Sequence, residues 1–350
     1  MTESINVERY YPIGTPGQPW TEVEEKEWKA TTKRQRSYRD EVVDKLKALE
    51  HHAQLKLVQY GTLSHECEDT TSTTEVEGYP LLAVQSREWI PDRPSILVTG
   101  GVHGYETSGV QGAITFLHSS SLQTKYMDQI NLLVVPCVSP WSYEYIQRWQ
   151  ADLKDPNRCF ANIHENPAEQ PQKDASSSSY CPESQALMDY LRQQEHFLGC
   201  EWTCHLDLHE TTDSDATEFM PAKHAKAGLP FEGEIIPDGF YLVGDEENPE
   251  LDFQASILER VQQVTHIAEP DHKGEISDIP IARKGLILVP VQELGLCCCM
   301  TGAKFATTTE VYPDSSHVTD ELCNQAQVAA IEAAIDYVLA QRGNAESSNP

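Results

Sequence analysis

Four places in the chain set a histidine and a glutamate three residues apart, starting at His65, His103, His266 and His272. An imidazole and a carboxylate at that spacing can close on one cation, so the flanking sequence has to choose among them. His103–Glu106 follows Ser95-Ile96-Leu97-Val98, a short apolar run bounded by Pro91, Pro94 and Gly100-Gly101, which reads as a buried strand. After Glu106 the apolar residues Val110, Ile114 and Leu117 fall on one helix face. A strand–loop–helix of this kind delivers its loop to the carboxyl edge of a sheet, where α/β proteins put their ligands. The other three pairs lack that setting. His65 and Glu68 stand in a polar Glu/Thr/Ser-rich turn, His266 ends a helical stretch that starts near Asn248-Pro249, and His272 follows Pro270 in a loop.

A second group comes from Trp202–His209, whose pattern is that of a strand. Extended backbone puts His205, Asp207 and His209 on one face, with His209 at the carboxyl end. His103, Glu106 and His209 together make two imidazoles and one carboxylate. In catalytic zinc sites such a set leaves a fourth position for water.

The elements that must position these groups can be read from periodicity. Leu55–Tyr60, Tyr79–Gln85, Asn131–Pro136, Gly285–Val291 and Phe305–Val311 have strand patterns; Ser37–Leu55, Pro182–Phe197 and Thr319–Leu339 have helix patterns. Pro140–Gln150 is a short helix or turn carrying Arg148, and a polar run to Ser179 is a surface loop. Residues 1–35 are polar and wrap the surface. Alternating strands and helices predict an α/β sandwich, and the lack of an internal repeat or linker predicts one domain.

Composition narrows the function. The chain has 350 residues, 26 basic against 55 acidic, a net charge of -29. That balance excludes non-specific binding to nucleic acid or to an anionic membrane. A mean hydropathy of -0.48, with no apolar run of membrane-spanning length, predicts a soluble globular protein. The N-terminal sequence has no basic patch followed by an apolar core, and ten scattered cysteines without Cys-x-x-Cys suit a reducing compartment, so a cytoplasmic location is expected. The adjacent Cys297, Cys298 and Cys299 are expected to be buried and reduced.

His103-x-x-Glu106, Asp155-x-Asn157-Arg158, a strand ending in His209 and a late strand bearing Glu310 resemble, in that order, the zinc metallocarboxypeptidase family related to carboxypeptidase A. The resemblance runs from Ile96 to Leu339. It implies a mixed, mainly eight-stranded twisted sheet between helices, with a catalytic domain over 91–342. Residues 1–90 would be N-terminal elements packed on that domain, and 343–350 a flexible tail. It also implies one zinc ion per chain on His103, Glu106 and His209, with Asp155 orienting His103. Arg148 would hold the oxyanion, while Asn157 and Arg158 would grip the terminal carboxylate of a peptide. For the general base the resemblance favours Glu310, in Thr307-Thr-Thr-Glu-Val-Tyr-Pro313, over Glu293.

The sequence departs from the better-known members at Val138-Ser-Pro-Trp-Ser-Tyr, where Asn-Pro-Asp-Gly is usual, and Tyr241 and Tyr312 compete as the tyrosine that closes over substrate. The pocket for the last side chain is expected near Gly285–Ala303. A zinc deacylase of the aspartoacylase and succinylglutamate desuccinylase type shares the ligand set and a similar Asp-x-Asn-Arg. Those enzymes carry a further β-rich domain after the catalytic glutamate, whereas forty residues, mostly one helix, follow Glu310 here. A metal-stabilised binding protein is the non-enzymatic alternative.

Overall fold

The computed structural model describes residues 9–64, 78–165 and 180–347. The His65–Glu68 pair and the four serines ending at Ser179 lie outside the described residues. The strands are β1 (Leu55–Leu63), β2 (Tyr79–Ser86), β3 (Ser95–Gly100), β4 (Asn131–Val135) and β5 (Cys204–Glu210), followed by β6 (Tyr241–Asp245), β7 (Glu275–Ile276), β8 (Ile279–Arg283), β9 (Leu286–Val289) and β10 (Phe305–Val311). They form one mixed sheet in the order β1-β2-β4-β3-β5-β10-β6-β9-β8-β7. The helices are α1 (Glu22–Thr31), α2 (Asp44–Lys47), α3 (Thr107–Leu117), α4 (Pro140–Tyr145), α5 (Pro182–Leu198), α6 (Met220–Ala227), α7 (Leu251–Val261), α8 (Val291–Leu294) and α9 (Asp320–Ser347).

The sheet has ten strands rather than the expected eight. The first eight in sheet order run from β1 to β9, and the β7–β8 hairpin extends that edge by pairing antiparallel to β9. Its two-residue turn, Ser277-Asp278, has φ of 51° and 59°. A two-residue turn of that hand matches strand twist, which is why two non-glycine residues accept positive φ. Strands of two and five residues, one containing Pro280, leave too short a periodicity to find in sequence.

Alternate residues of the central strands feed two cores. Ile96, Val98, Leu206, Leu208 and Leu242 pack under α3, α7 and α9. Leu97, Val135, Tyr241 and Val243 pack on the opposite face with Leu187 and Leu191 of α5 and with Cys297–Cys299. The apolar run through β3 and β4 therefore reflects burial on both faces. No helix among the described residues is long and apolar enough to cross a membrane.

The N-terminal segment is more ordered than its polarity suggests. Thr21 and Glu24 form a capping box that starts α1, and α1 buries Trp28. Trp28 and Trp20 meet the Trp149 ring at centroid distances of 5.5 and 6.3 Å, beside the loop that carries Arg148. The helix expected over Ser37–Leu55 is confined to Arg39–Lys47, while α9 runs on past Leu339 to Ser347.

Candidate metal centre and active site

β4, β3, β5 and β10 are mutually parallel neighbours, so their carboxyl ends open on one edge of the sheet. The loop after β3 brings His103 and Glu106 to that edge, and β5 ends there with His209. One ligand atom from each of the three lies within 4.8 Å of the others. Each residue is about 1% exposed. His103 Nδ1 is 2.6 Å from Glu106 Oε1, and His209 Nδ1 is 2.8 Å from Glu106 Oε2. Despite the second approach, Oε2 is buried with no hydrogen-bond partner. A buried, unbonded carboxylate oxygen beside a ring nitrogen fits a cation held between them, and the donor set of two imidazoles and one carboxylate suits zinc.

The outward-facing ring nitrogens are tied to carboxylates. His103 Nε2 is 3.0 Å from Asp155 Oδ1, and His209 Nε2 is 2.7 Å from Asp207 Oδ2. Such bonds fix ring orientation and raise ligand basicity. Burial alone would raise the Glu106 carboxyl, but the two histidines outweigh it and bring it down to about 2. The Glu106 carboxyl is therefore held anionic.

Close packing fixes the loop between the ligands. A Cβ on Gly104 would stand 1.9 Å from the carbonyl carbon of Ser142 in α4, so nothing larger than glycine fits. Gly104 N donates to Gln147 O at 2.9 Å, and Gly104 O accepts from Arg36 Nη2. Arg36 also donates to Thr107 Oγ1 at 2.8 Å and to Tyr143 O at 2.7 Å, with its guanidinium 3.4 Å from the Tyr143 ring centroid. On the far side, Glu210 accepts the N–H groups of Thr107 and Ser108 at 3.0 and 2.7 Å, capping α3 from the residue after His209. Gln327 of α9 donates to His209 O at 2.9 Å.

Asp155 is a branch point. Its Oδ1 meets His103 and its Oδ2 accepts from Arg148 Nε at 3.1 Å. Arg148 Nη1 donates to Tyr105 Oη at 2.8 Å and to Asp215 Oδ1 at 3.1 Å, and its guanidinium stands 4.6 Å from the Phe219 ring centroid. Asn157 is buried and its Oδ1 accepts from Cys297 N at 2.7 Å. Arg158 is exposed, with Nη1 donating to Asn157 O at 2.7 Å.

Strand register places the last candidate. Glu310 of β10 pairs with His209 on one side and with Tyr241 of β6 on the other. Thr211 Oγ1 donates to Glu310 Oε2 at 2.9 Å and lies 2.8 Å from Tyr241 Oη. Burial, followed by the charge of Glu106, outweighs His209 and pushes the Glu310 carboxyl up to about 8. Glu293 is exposed on α8 and takes no part in these bonds. Tyr312 donates to Asp213 Oδ1 at 2.8 Å.

One row deeper, His205, Asp207 and Cys297 also bring ligand atoms within 4.8 Å of one another. The Thr99 hydroxyl is against all three, donating to Asp207 Oδ1 at 2.6 Å, with His205 Nε2 at 3.0 Å and Cys297 Sγ at 3.5 Å. The group is a hydrogen-bonded support behind His209. The sequence carried a signal for Asp207, which shares the strand face of His209, but none for Tyr105, Asp215 or Arg36, which arrive from distant segments.

A sequence model of the zinc carboxypeptidase family matches residues 61–213. The chain has the zinc carboxypeptidase fold. The matched stretch contains His103, Glu106, Arg148, Asp155, Asn157, Arg158 and His209 and ends before Glu310. No curated protein matches the chain in sequence. Among solved structures, a candidate metallopeptidase of Shewanella amazonensis SB2B is similar over 88% of this chain and 99% of its own, with 18% identity and a TM-score of 0.59. A metallo-carboxypeptidase of Burkholderia cenocepacia is similar over 85% of this chain and 68% of its own, at 16% identity and a TM-score of 0.53. One from Pseudomonas aeruginosa covers 86% and 68%, at 16% identity and 0.52. At these identities the likeness is one of fold.

Proposed function

We propose that the chain is a zinc-dependent metallocarboxypeptidase that hydrolyses the C-terminal peptide bond of peptides. The observation that carries this reading is the convergence of His103, Glu106 and His209 with Asp155 and Asp207 behind the two rings. Those three residues would hold one zinc ion. Zinc there would supply an activated water and polarise the scissile carbonyl.

Glu310 would be the general base. Thr211 anchors one of its oxygens, and the other would take the proton of the attacking water and hand it on to the leaving amine. A bound cation favours the ionised carboxyl that this role requires. Arg148 would hold the developing oxyanion, positioned by Asp155, Tyr105 and Asp215. Losing one such donor lowers the rate by about 10²–10³-fold. Arg158 would take the terminal carboxylate in its guanidinium fork. Asn157 would help through its amide NH₂, since Cys297 N already occupies its oxygen. Residues 91–342 would form the catalytic unit, with 1–90 as elements packed on it.

The test is hydrolysis of peptides with the C-terminal residue varied, read by mass spectrometry with and without a chelator, beside a set of N-acyl amino acids. Chelator-sensitive, stepwise loss from the C-terminus is expected. Release of acyl groups with the peptides left intact would move the assignment to a deacylase, and internal cleavage would remove the exopeptidase reading.

A further inference from the structure

We propose that Cys159 and Cys181 form an oxidant-sensitive disulfide, a modification site that ties the turn carrying Arg158 to the first turn of α5. Cys159 follows Arg158 directly, and Cys181 is the N-cap of α5. The two sulfurs are 3.1 Å apart, with the Cys181 thiol donating to Cys159 Sγ, and the residues are 0% and 7% exposed, respectively. The same two segments meet a second time, where Ser184 Oγ donates to Pro156 O at 3.3 Å. The thiols are therefore held in register by packing on both sides.

The direction of the thiol–thiol bond assigns the roles. Accepting from Cys181 brings the Cys159 thiol below its usual range, while Cys181, the donor, is raised. Cys159 is the nucleophile and Cys181 the resolving thiol. With a peroxide as oxidant, the Cys159 thiolate attacks one oxygen, the O–O bond breaks, and hydroxide leaves to be protonated to water. Cys159 is then a sulfenic acid. The Cys181 sulfur next attacks Cys159 sulfur, an S–S bond replaces the S–O bond, and the departing hydroxide takes the Cys181 proton. Two thiols and one peroxide give one disulfide and two waters.

The new bond shortens the sulfur separation to about 2.05 Å. It also removes the Cys159 thiol from Asp155 O, to which it donates at 3.3 Å. The turn is thereby drawn toward α5, taking Arg158 with it. The consequence for substrate rests on the proposed role of Arg158: KM rises at least threefold and kcat changes less. The disulfide itself does not depend on that role.

The experiment treats the full-length, zinc-loaded chain with one to three equivalents of hydrogen peroxide, alkylates the remaining thiols and maps the peptides by mass spectrometry. The expected product is a reducible cross-link between the peptides holding Cys159 and Cys181, lighter by two hydrogens and formed before other cysteines react. The thermal midpoint should rise by about 3 °C, because the bond closes a 22-residue separation. In Cys181→Ser the cross-link is lost and a dimedone-type reagent traps the sulfenic acid on Cys159. In Cys159→Ser, peroxide leaves KM unchanged. Alkylatable Cys159 and Cys181 after treatment, or a different disulfide, would overturn the modification site whether or not peptides are cleaved. An unaltered KM in the cross-linked chain would overturn the effect on the turn.

Discussion

His209 gives its Nε2 to Asp207, two residues back on the same strand and 2.7 Å away, while its Nδ1 faces Glu106. The strand itself thus supplies both the proposed ligand and the group that aims it. Asp207→Asn keeps the shape and removes the charge, and is expected to weaken zinc binding by about 10–100-fold. Competition against a fluorescent chelator measures this. An unchanged affinity would show that Asp207 does not orient the ligand.

Glu310→Gln is expected to lower kcat/KM by about 10²–10⁴-fold while zinc affinity stays close to that of the parent chain. Glu293→Gln, on an exposed helix, is expected to change neither. Steady-state kinetics on one peptide decide between them, and a large loss in the second variant would reverse the assignment.

Removing zinc leaves Glu106 Oε2 buried without a hydrogen bond. Ligand linkage then gives about 2.7 kcal/mol of stability from free zinc at a hundred times its dissociation constant. The thermal midpoint should therefore climb with zinc concentration and fall on chelation. His209→Ala should abolish that dependence, and calorimetry on both chains checks it.

Gly104→Ala places a methyl group 1.9 Å from the Ser142 carbonyl carbon. One loop has to move, and overpacking of this kind costs about 1–3 kcal/mol or more. Activity should fall with all three ligands present, and denaturant unfolding would give the stability change. A fully active, equally stable variant would mean that α4 does not fix the loop.

Burial lowers His205 to about 4. The unfolded chain takes up a proton near pH 6.5, whereas the folded chain holds His205 neutral down to about 4, so the unfolded state binds more protons in between. Stability conferred by His205 is full above pH 6.5 and is lost as pH falls toward 4, up to about 3 kcal/mol at about 1.36 per unit. His205→Gln should flatten that acid limb in denaturant melts taken from pH 7 to pH 4.5. The same slope in both chains would assign the effect elsewhere.

Much of this site was legible because its residues sit at fixed offsets on strong elements. β3 and β10 have long apolar or threonine-rich runs, and β10 begins and ends where periodicity places it, at Phe305 and Val311. His103, Glu106 and His209 fall at the ends of such strands. The polar network behind them is a different matter. Arg36 reaches Gly104 across 68 residues and Arg148 reaches Asp215 across 67, and no local pattern records a partner that far away. β6, at five residues, and the β7–β8 hairpin are too short to show a period. Helix α1 went unread because its start signal, Thr21-x-x-Glu24, is set in a polar segment that reads as a surface wrap.

Arg36, near the beginning of the chain, clasps the loop that carries His103, and Gln327, on the last helix, holds the backbone of His209. On the proposed ligand set, a polypeptide emerging from the ribosome would have all three donors synthesised well before the helix that holds His209. Metal uptake on the proposed site would then wait for the final helix to dock, and a product ending before residue 320 is expected to bind zinc more weakly than the full chain even with every donor intact.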